Sequence, residues 1–343
     1  MTTMANRTRK RIKLSSNIIE KDSVASENKI NSIGSGQLHL PNIDFNTKWS
    51  QNGVTVAGGN GPGSAVNQLY YPWDMYVDND QTIYVAEYSN QRITEWKCGA
   101  MNGQVVAGGN KQGNRTNQLN GPANVIIDKE NDNIIICDLG NRRVVRWPRR
   151  NGKQGEIILS DVDCWGLAID SNGYLYVSDY KKHEVRRWHP GDICGTVIAG
   201  GNGKGNRLDQ FNFPAHLFVD QDYSLYVSDI GNHRLMKWKQ GAKEGIVIVG
   251  DGCEENDRIQ LSYPSGIAVD HLGTVYVVDS HEHLVMRWLK GATQGSIIIG
   301  SNGQGTETNQ LNGPVGLSFD QHGNIYVADN LNHRIQKFHI DST

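Results

Sequence analysis

The 343 residues include 37% hydrophobic and 20% charged side chains and 39 glycines. That composition suits a globular protein rich in tight turns, and no run approaches the roughly 20 apolar residues that a membrane-crossing helix needs. The formal net charge is −2, but seven Lys/Arg and only three acids fall in the first 40 positions, leaving 27 basic against 33 acidic residues beyond them; this balance excludes a body-wide electrostatic footprint for nucleic acid.

The basic segment Arg7–Lys13 runs into Leu14, Ser15, Ser16 and Asn17 rather than into an apolar core. It therefore does not read as a secretory signal. The expectation is a cytoplasmic protein; a nuclear address and a contact for an acidic surface are the two alternative readings of this segment. Residues 1–40 are polar, rich in Ser, Asn and Lys, and have no copy elsewhere; they are expected to form a disordered tail before one folded domain over residues 41–343. The five cysteines (Cys98, Cys137, Cys164, Cys194, Cys253) are scattered and include no C-x-x-C pair, which argues against a disulfide framework or a Cys-based zinc site.

A strand-like segment, Gly53–Ala57, precedes the first of six copies of one unit. The last copy reads Gly313-Pro-Val-Gly-Leu-Ser-Phe-Asp320, then Gly323-Asn-Ile-Tyr-Val-Ala-Asp329, then Asn332-His-Arg-Ile-Gln-Lys-Phe338. The Asp ending the first segment recurs at 78, 128, 170, 220, 270 and 320, at intervals of 50 except for one of 42, where a Gly/Asn-rich loop is missing after Leu159. An aromatic residue closes the third segment at Trp96, Trp147, Trp188, Trp238, Trp288 and Phe338. Tyr recurs in the second segment at 84, 176, 226, 276 and 326, with Ile135 in the remaining copy. A period near 50, with four short segments of alternating polarity bounded by turn residues, predicts four-stranded propeller blades.

The strands run out of phase with the copies, so Gly53–Ala57 is expected to complete the last blade from the front of the chain and to satisfy its open edge. The fold class is thus all-β, a six-bladed β-propeller of four-stranded antiparallel blades closed by an N-terminal outer strand. These three segments resemble NHL repeats (P-x-G-I-A-V-D, I-Y-V-A-D, N-x-R-I-x-x-W/F), over roughly residues 45–340. The resemblance implies a platform for protein or RNA, sometimes within ubiquitin-ligase proteins; in a related group it implies a zinc-dependent lyase.

In such blades the d-to-a and b-to-c connections share one rim. The loops Ala57–Gly63, Ala107–Gly113 and Ala199–Gly205, with weaker copies at 250 and 300, resemble phosphate cradles, but a strand follows them instead of a helix N-terminus; they read as structural. The b-to-c turns repeat an acid, Asn and Arg: Glu87, Asn90, Arg92; Asp138, Asn141, Arg143; Asp229, Asn232, Arg234; Asp329, Asn332, Arg334. Two copies depart, with Lys182 and Glu184 in one and Glu282 and Leu284 in the other. His183, His233, His283 and His333 share one turn position, too far apart to bind one zinc ion, and read as exposed turn residues.

The third position of the P-x-G pattern is occupied by Asp74, Asn124, Gly166, His216, Gly266 and Gly316. The three polar replacements, Asp74, Asn124 and His216, are the candidate binding residues at the channel mouth. Candidate rim residues are Arg115, Arg142, Lys181, Lys182, Lys204, Arg207 and Glu282, and the rim loops show no repeated aromatic for base stacking. No nucleophile motif is present. The expectation is a monomeric binding scaffold whose rim recognises a protein or peptide, without cofactor or membrane. A metal-assisted lyase or hydrolase using Asp74, Asn124 and His216 is the first alternative, and an RNA-binding propeller the second.

Overall fold

The computed structural model describes residues 43–250 and 261–341. The tail expected over residues 1–40, the loop copy following Gly250 and Cys253 lie outside them.

The described strands begin with β1 (Val54–Gly58). Blade 1 follows as β2 (Pro72–Val77), β3 (Ile83–Glu87), β4 (Arg92–Trp96) and β5 (Gln104–Gly108), and blade 2 as β6 (Pro122–Asp128), β7 (Asn133–Asp138), β8 (Arg143–Pro148) and β9 (Glu156–Ser160). Blade 3 is β10 (Cys164–Ile169), β11 (Leu175–Asp179), β12 (Glu184–Trp188) and β13 (Thr196–Gly200); blade 4 is β14 (Pro214–Val219), β15 (Leu225–Asp229), β16 (Arg234–Trp238) and β17 (Ile246–Gly250). Blade 5 is β18 (Pro264–Val269), β19 (Val275–Asp279), β20 (Leu284–Trp288) and β21 (Ser296–Ile299), and blade 6 is β22 (Pro314–Phe319), β23 (Ile325–Asp329) and β24 (Arg334–Phe338).

Each blade is a separate antiparallel four-stranded sheet, and blade 6 takes β1 as its fourth strand in the order β1-β24-β23-β22. The pairing runs from Val54 opposite Lys337 to Gly58 opposite Arg334, so the closure expected of the leading segment is present. The first strands of successive blades pack on one another around the axis, β22 returning to β2.

The alternating pattern explains how flat sheets become a ring. Both faces of every blade are apolar, and each hydrophobic cluster joins two neighbours: Tyr84, Ile93 and Leu119 meet Val125, Ile134 and Trp147 across the first seam, and Leu69, Val85 and Trp96 meet Tyr326 and Ile335 across the closing one. Burial of one such side chain contributes roughly 1.5–3 kcal/mol. The repeated Tyr also ties a blade to its own turn: the hydroxyls of Tyr176, Tyr276 and Tyr326 donate to Asp170, Asp270 and Asp320 at 2.8, 3.0 and 3.1 Å. Those carboxylates also accept backbone N–H groups of the a-to-b turn, as Asp270 does from Leu272 and Thr274 at 2.9 and 2.8 Å.

The seam between blades 2 and 3 differs. Elsewhere the long d-to-a loop ends in a buried wedge: Leu69, Leu119, Phe211, Leu261 and Leu311. The short connection after β9 has only Val162 there. A disulfide between Cys137 and Cys164 crosses this seam, joining β7 to β10 with both cysteines buried. The expectation of no disulfide is therefore corrected: spacing along the chain says nothing of two strands that the ring brings to a Cα separation of 5.9 Å.

Candidate functional site

The rim owes its shape to the acid–Asn–Arg turns. In blade 4 the Arg234 guanidinium donates to Asp229 at 2.7 Å and to the carbonyls of Asn206, Arg207 and Gln210 at 2.7, 3.0 and 3.0 Å. Asn232 donates to Asp229 at 2.7 Å and to the Gly205 carbonyl at 2.9 Å. Blades 1, 2 and 6 repeat this clamp through Arg92, Arg143 and Arg334. Each clamp folds the Gly/Asn-rich loop that enters its own blade, and within the loop Gln210 donates to the Asn202 carbonyl at 2.8 Å. Burial pushes the clamp carboxyls up, while the Asn and Arg donors oppose it. Blade 3, which has Lys182 and Glu184 at these positions, is the blade whose entering loop is missing.

The turn histidines are interblade hooks. Each sits in the left-handed region, φ +56, +53, +59 and +55° for His183, His233, His283 and His333. Backbone N–H groups of Phe213, Gly313 and Tyr71 donate to Nδ1 of His183, His283 and His333 at 3.3, 2.9 and 3.3 Å, and His233 Nδ1 meets the Ser262 carbonyl. Gln91 accepts from Gly121 in blade 1, and Arg142 donates to Asp163 at 3.1 Å in blade 2. The same turn position thus reaches the next blade all the way round. The reading as exposed turn residues is corrected for His183, His283 and His333, which are half-buried; burial pushes all three imidazoles below their ordinary value.

Asp74, Asn124 and His216, from β2, β6 and β14, do converge. Asn124 Nδ2 donates to Asp74 Oδ2, the Met75 N–H donates to Asp74 Oδ1 at 2.9 Å, and His216 Nε2 lies 3.8 Å from Asp74 Oδ2. Gly316 makes room for the carboxyl, since a Cβ there would meet Asp74 Oδ1 at 2.3 Å. All three side chains are buried. Burial pushes the Asp74 carboxyl up to about 8 and the His216 imidazole down to about 4, so near neutral pH the two face each other uncharged rather than as an ion pair. They close the rim end of a channel of about 110 Å³, walled by Met75, Leu167, Leu217, Phe218, Ile267 and Leu317. Among the described residues no cluster of three or more His, Cys, Asp and Glu is placed to hold a metal ion.

Above this closed end lies an aromatic arc that the sequence reading missed. Tyr88 packs on Trp73 at 4.7 Å between ring centroids, Trp73 on Trp165 at 5.6 Å, Trp165 on Tyr180 at 5.6 Å and Tyr180 on Phe213 at 6.3 Å. The reading that the rim loops show no repeated aromatic is corrected by Tyr88 and Tyr180, which occupy the same turn position in blades 1 and 3. Trp73 and Trp165 come from blades 1 and 3 and meet above blade 2, where the same repeat position is Ala123. The available signal was the middle residue of the P-x-G column, Trp in those two blades, with Tyr88 and Tyr180 following the turn acid in the same two.

The basic rim residues divide. Lys181 lies 5.6 Å from the Tyr180 ring and 3.0 Å from Asp163, and Lys204 lies 5.1 Å from the Phe213 ring. Arg142 shares Asp163, and Lys182 reaches Asp179 at 3.4 Å. Of these four, Lys181 and Lys204 lie against rings of the arc. Arg207 is paired with Asp209 at 2.9 Å, Glu282 with His281 at 3.1 Å, and Arg115 is exposed on the loop entering blade 2.

The NHL repeat model matches residues 69–96, 261–287 and 311–338. No curated protein sequence matches the chain. Among solved structures it is similar to an auxiliary nutrient binding protein from Bacteroides thetaiotaomicron, with 15% identity over 86% of this chain and 77% of that one and a TM-score of 0.66. A gluconolactonase from Xanthomonas campestris gives 13% identity over 90% and 98% at 0.59, and a streptogramin B lyase 13% over 80% and 95% at 0.52. At these identities the likeness concerns the fold alone.

Proposed function

Starting from an NHL-repeat six-bladed β-propeller, we propose that this chain is a binding protein whose loop-bearing rim captures a peptide or protein segment along the arc Tyr88–Trp73–Trp165–Tyr180–Phe213. The single observation carrying this reading is where the arc spends conformational energy. Phe213 of the arc adopts φ +58° at a position that Gly121 and Gly313 fill in other blades; Tyr71, which packs on Tyr70 and His333 instead, takes the same conformation at +50°. A bulky residue in that region costs of order 1 kcal/mol or more, and such strain gathers at binding surfaces.

Aromatic rings offer a ligand large apolar area with little loss of rotamer freedom. Lys181 and Lys204, over the Tyr180 and Phe213 rings, favour a segment whose apolar side chains are flanked by acids. Peptide-library selection on the whole protein is expected to enrich such sequences, and a Trp73→Ala, Trp165→Ala, Phe213→Ala variant to lose the enrichment with its melting curve retained. Equal enrichment on the variant sinks the reading. Enrichment of single-stranded RNA with steep salt dependence, and of no peptide, replaces it with the nucleic-acid alternative.

A further inference from the structure

The channel beneath the rim holds buried polar atoms without partners. Asn124 Oδ1 and His216 Nε2 make no hydrogen bond, although Asn124 is 3% and His216 4% exposed. A buried polar group left unpaired costs about 1–3 kcal/mol. Both atoms lie beside Asp74 at the closed end of a channel whose other end is lined by half-buried Ser171, Val219 and Asp220.

The chemistry of the lining selects a cation. No lysine or arginine lines the channel among the described residues; of its three aspartates, Asp220 is paired with Lys237 at 3.1 Å and Asp170 accepts from the Tyr176 hydroxyl at 2.8 Å, so the carboxyl left at the closed end without a cationic partner is Asp74. With Nδ1 of His216 3.3 Å from Ser265 Oγ, a hydrogen on Nδ1 donates to that hydroxyl and leaves a lone pair on Nε2. The closed end then offers three acceptors of different kinds, a carboxylate, an amide oxygen and an imidazole nitrogen, and an ammonium group has three donors. The walls are apolar, so the rest of the ligand is apolar too. The volume, about 110 Å³, is below the 150 Å³ of an apolar cavity that accepts benzene, which limits the ligand to about six heavy atoms.

We propose that the closed end of the channel is a binding site for a small primary ammonium ligand with a short apolar tail, entering from the face opposite the rim. The site is independent of the peptide reading, since it uses none of the arc residues. Burial keeps an unpaired Asp74 carboxyl protonated at neutral pH; an ammonium supplies the counter-charge that its ionised form lacks.

The test titrates full-length protein carrying labelled histidine with n-butylammonium chloride, with n-butanol and with calcium or zinc chloride, following the His216 ring resonances. The ammonium is expected to shift them saturably and the alcohol to bind at least about tenfold more weakly, the difference expected for a hydrogen bond to a charged group. Asp74→Asn, nearly isosteric, is expected to weaken the ammonium by a similar factor with the melting curve retained. Equal binding of alcohol and ammonium overturns the proposal in favour of a merely apolar cavity, and stoichiometric metal binding that displaces the ammonium overturns it in favour of a metal site. An unmoved His216 signal overturns it outright, without bearing on the rim.

Discussion

Arg234 shows how much a single side chain carries. It neutralises buried Asp229 and holds three loop carbonyls at once, so its removal strands a buried carboxylate and frees the rim loop. Arg234→Ala is expected to lower the stability by about 3–5 kcal/mol, read as a shifted denaturation midpoint. Arg234→Lys recovers only part, because an ammonium cannot span acceptors that a planar fork reaches together; full recovery by Lys contradicts the clamp. The acid, Asn and Arg spacing was legible in the sequence, but the loop carbonyls were not, because backbone acceptors leave no signature in residue type. Asp74, Asn124 and His216 were legible for a different reason: each interrupts a column of glycines. The arc was overlooked because its members belong to no one column, and Trp73 meets Trp165 only once blade 2 presents a small residue beneath them.

At the scale of elements, the hooks and the staple decide how blades stay together. The imidazoles of His183, His283 and His333 accept hydrogen bonds in their neutral form, and each is held below 6.5 in the fold. Below about pH 6.5 the unfolded chain therefore takes up more protons than the folded one, and stability falls as pH drops through that range. His216, pushed down to about 4, adds to this fall between 6.5 and 4. Asp74 works in the opposite sense: its raised carboxyl gives stability that is present below 3.8 and lost as pH rises toward 8. Replacing His183, His283 and His333 by Gln, the residue that makes the hook at position 91, is expected to flatten the decline of melting temperature between pH 7 and 5. An unchanged slope removes the hooks from the explanation. The Cys137–Cys164 bond closes a segment of sequence separation 27, worth about 3 kcal/mol, at the seam that lacks a leucine wedge. Reduction is expected to lower the melting temperature of this protein and to leave a Cys137→Ala, Cys164→Ala variant unaffected. Neither device could be read along the chain, since both join residues that only the ring makes neighbours.

For the whole molecule the decisive contact is β1 against β24. The six-bladed count and the out-of-phase start were legible because the unit repeats at nearly constant length, and the phase mismatch has one economical solution, a front strand completing the last sheet. Residues just ahead of β1 extend that closure: Trp49 donates its indole N–H to the Gly323 carbonyl at 2.8 Å, stacks edge-on to Tyr276 at 5.8 Å, and pairs with Ile340. Ile43 is buried in the same cluster as Phe338. A fragment beginning at residue 59 leaves β24 with an open hydrogen-bonding edge and uncovers the seam between blades 5 and 6. A propeller without its closing strand has such an edge available to a second chain, so the fragment is expected to unfold at lower temperature than one beginning at residue 43 and to associate on a sizing column. The two fragments differ only by the 16 positions from Ile43 to Gly58, so any loss of stability belongs to the closure and not to the six copies themselves. A monomeric 59–343 fragment melting with its longer counterpart means that the ring is held by its seams alone, and that β1 is an ornament on a structure already complete.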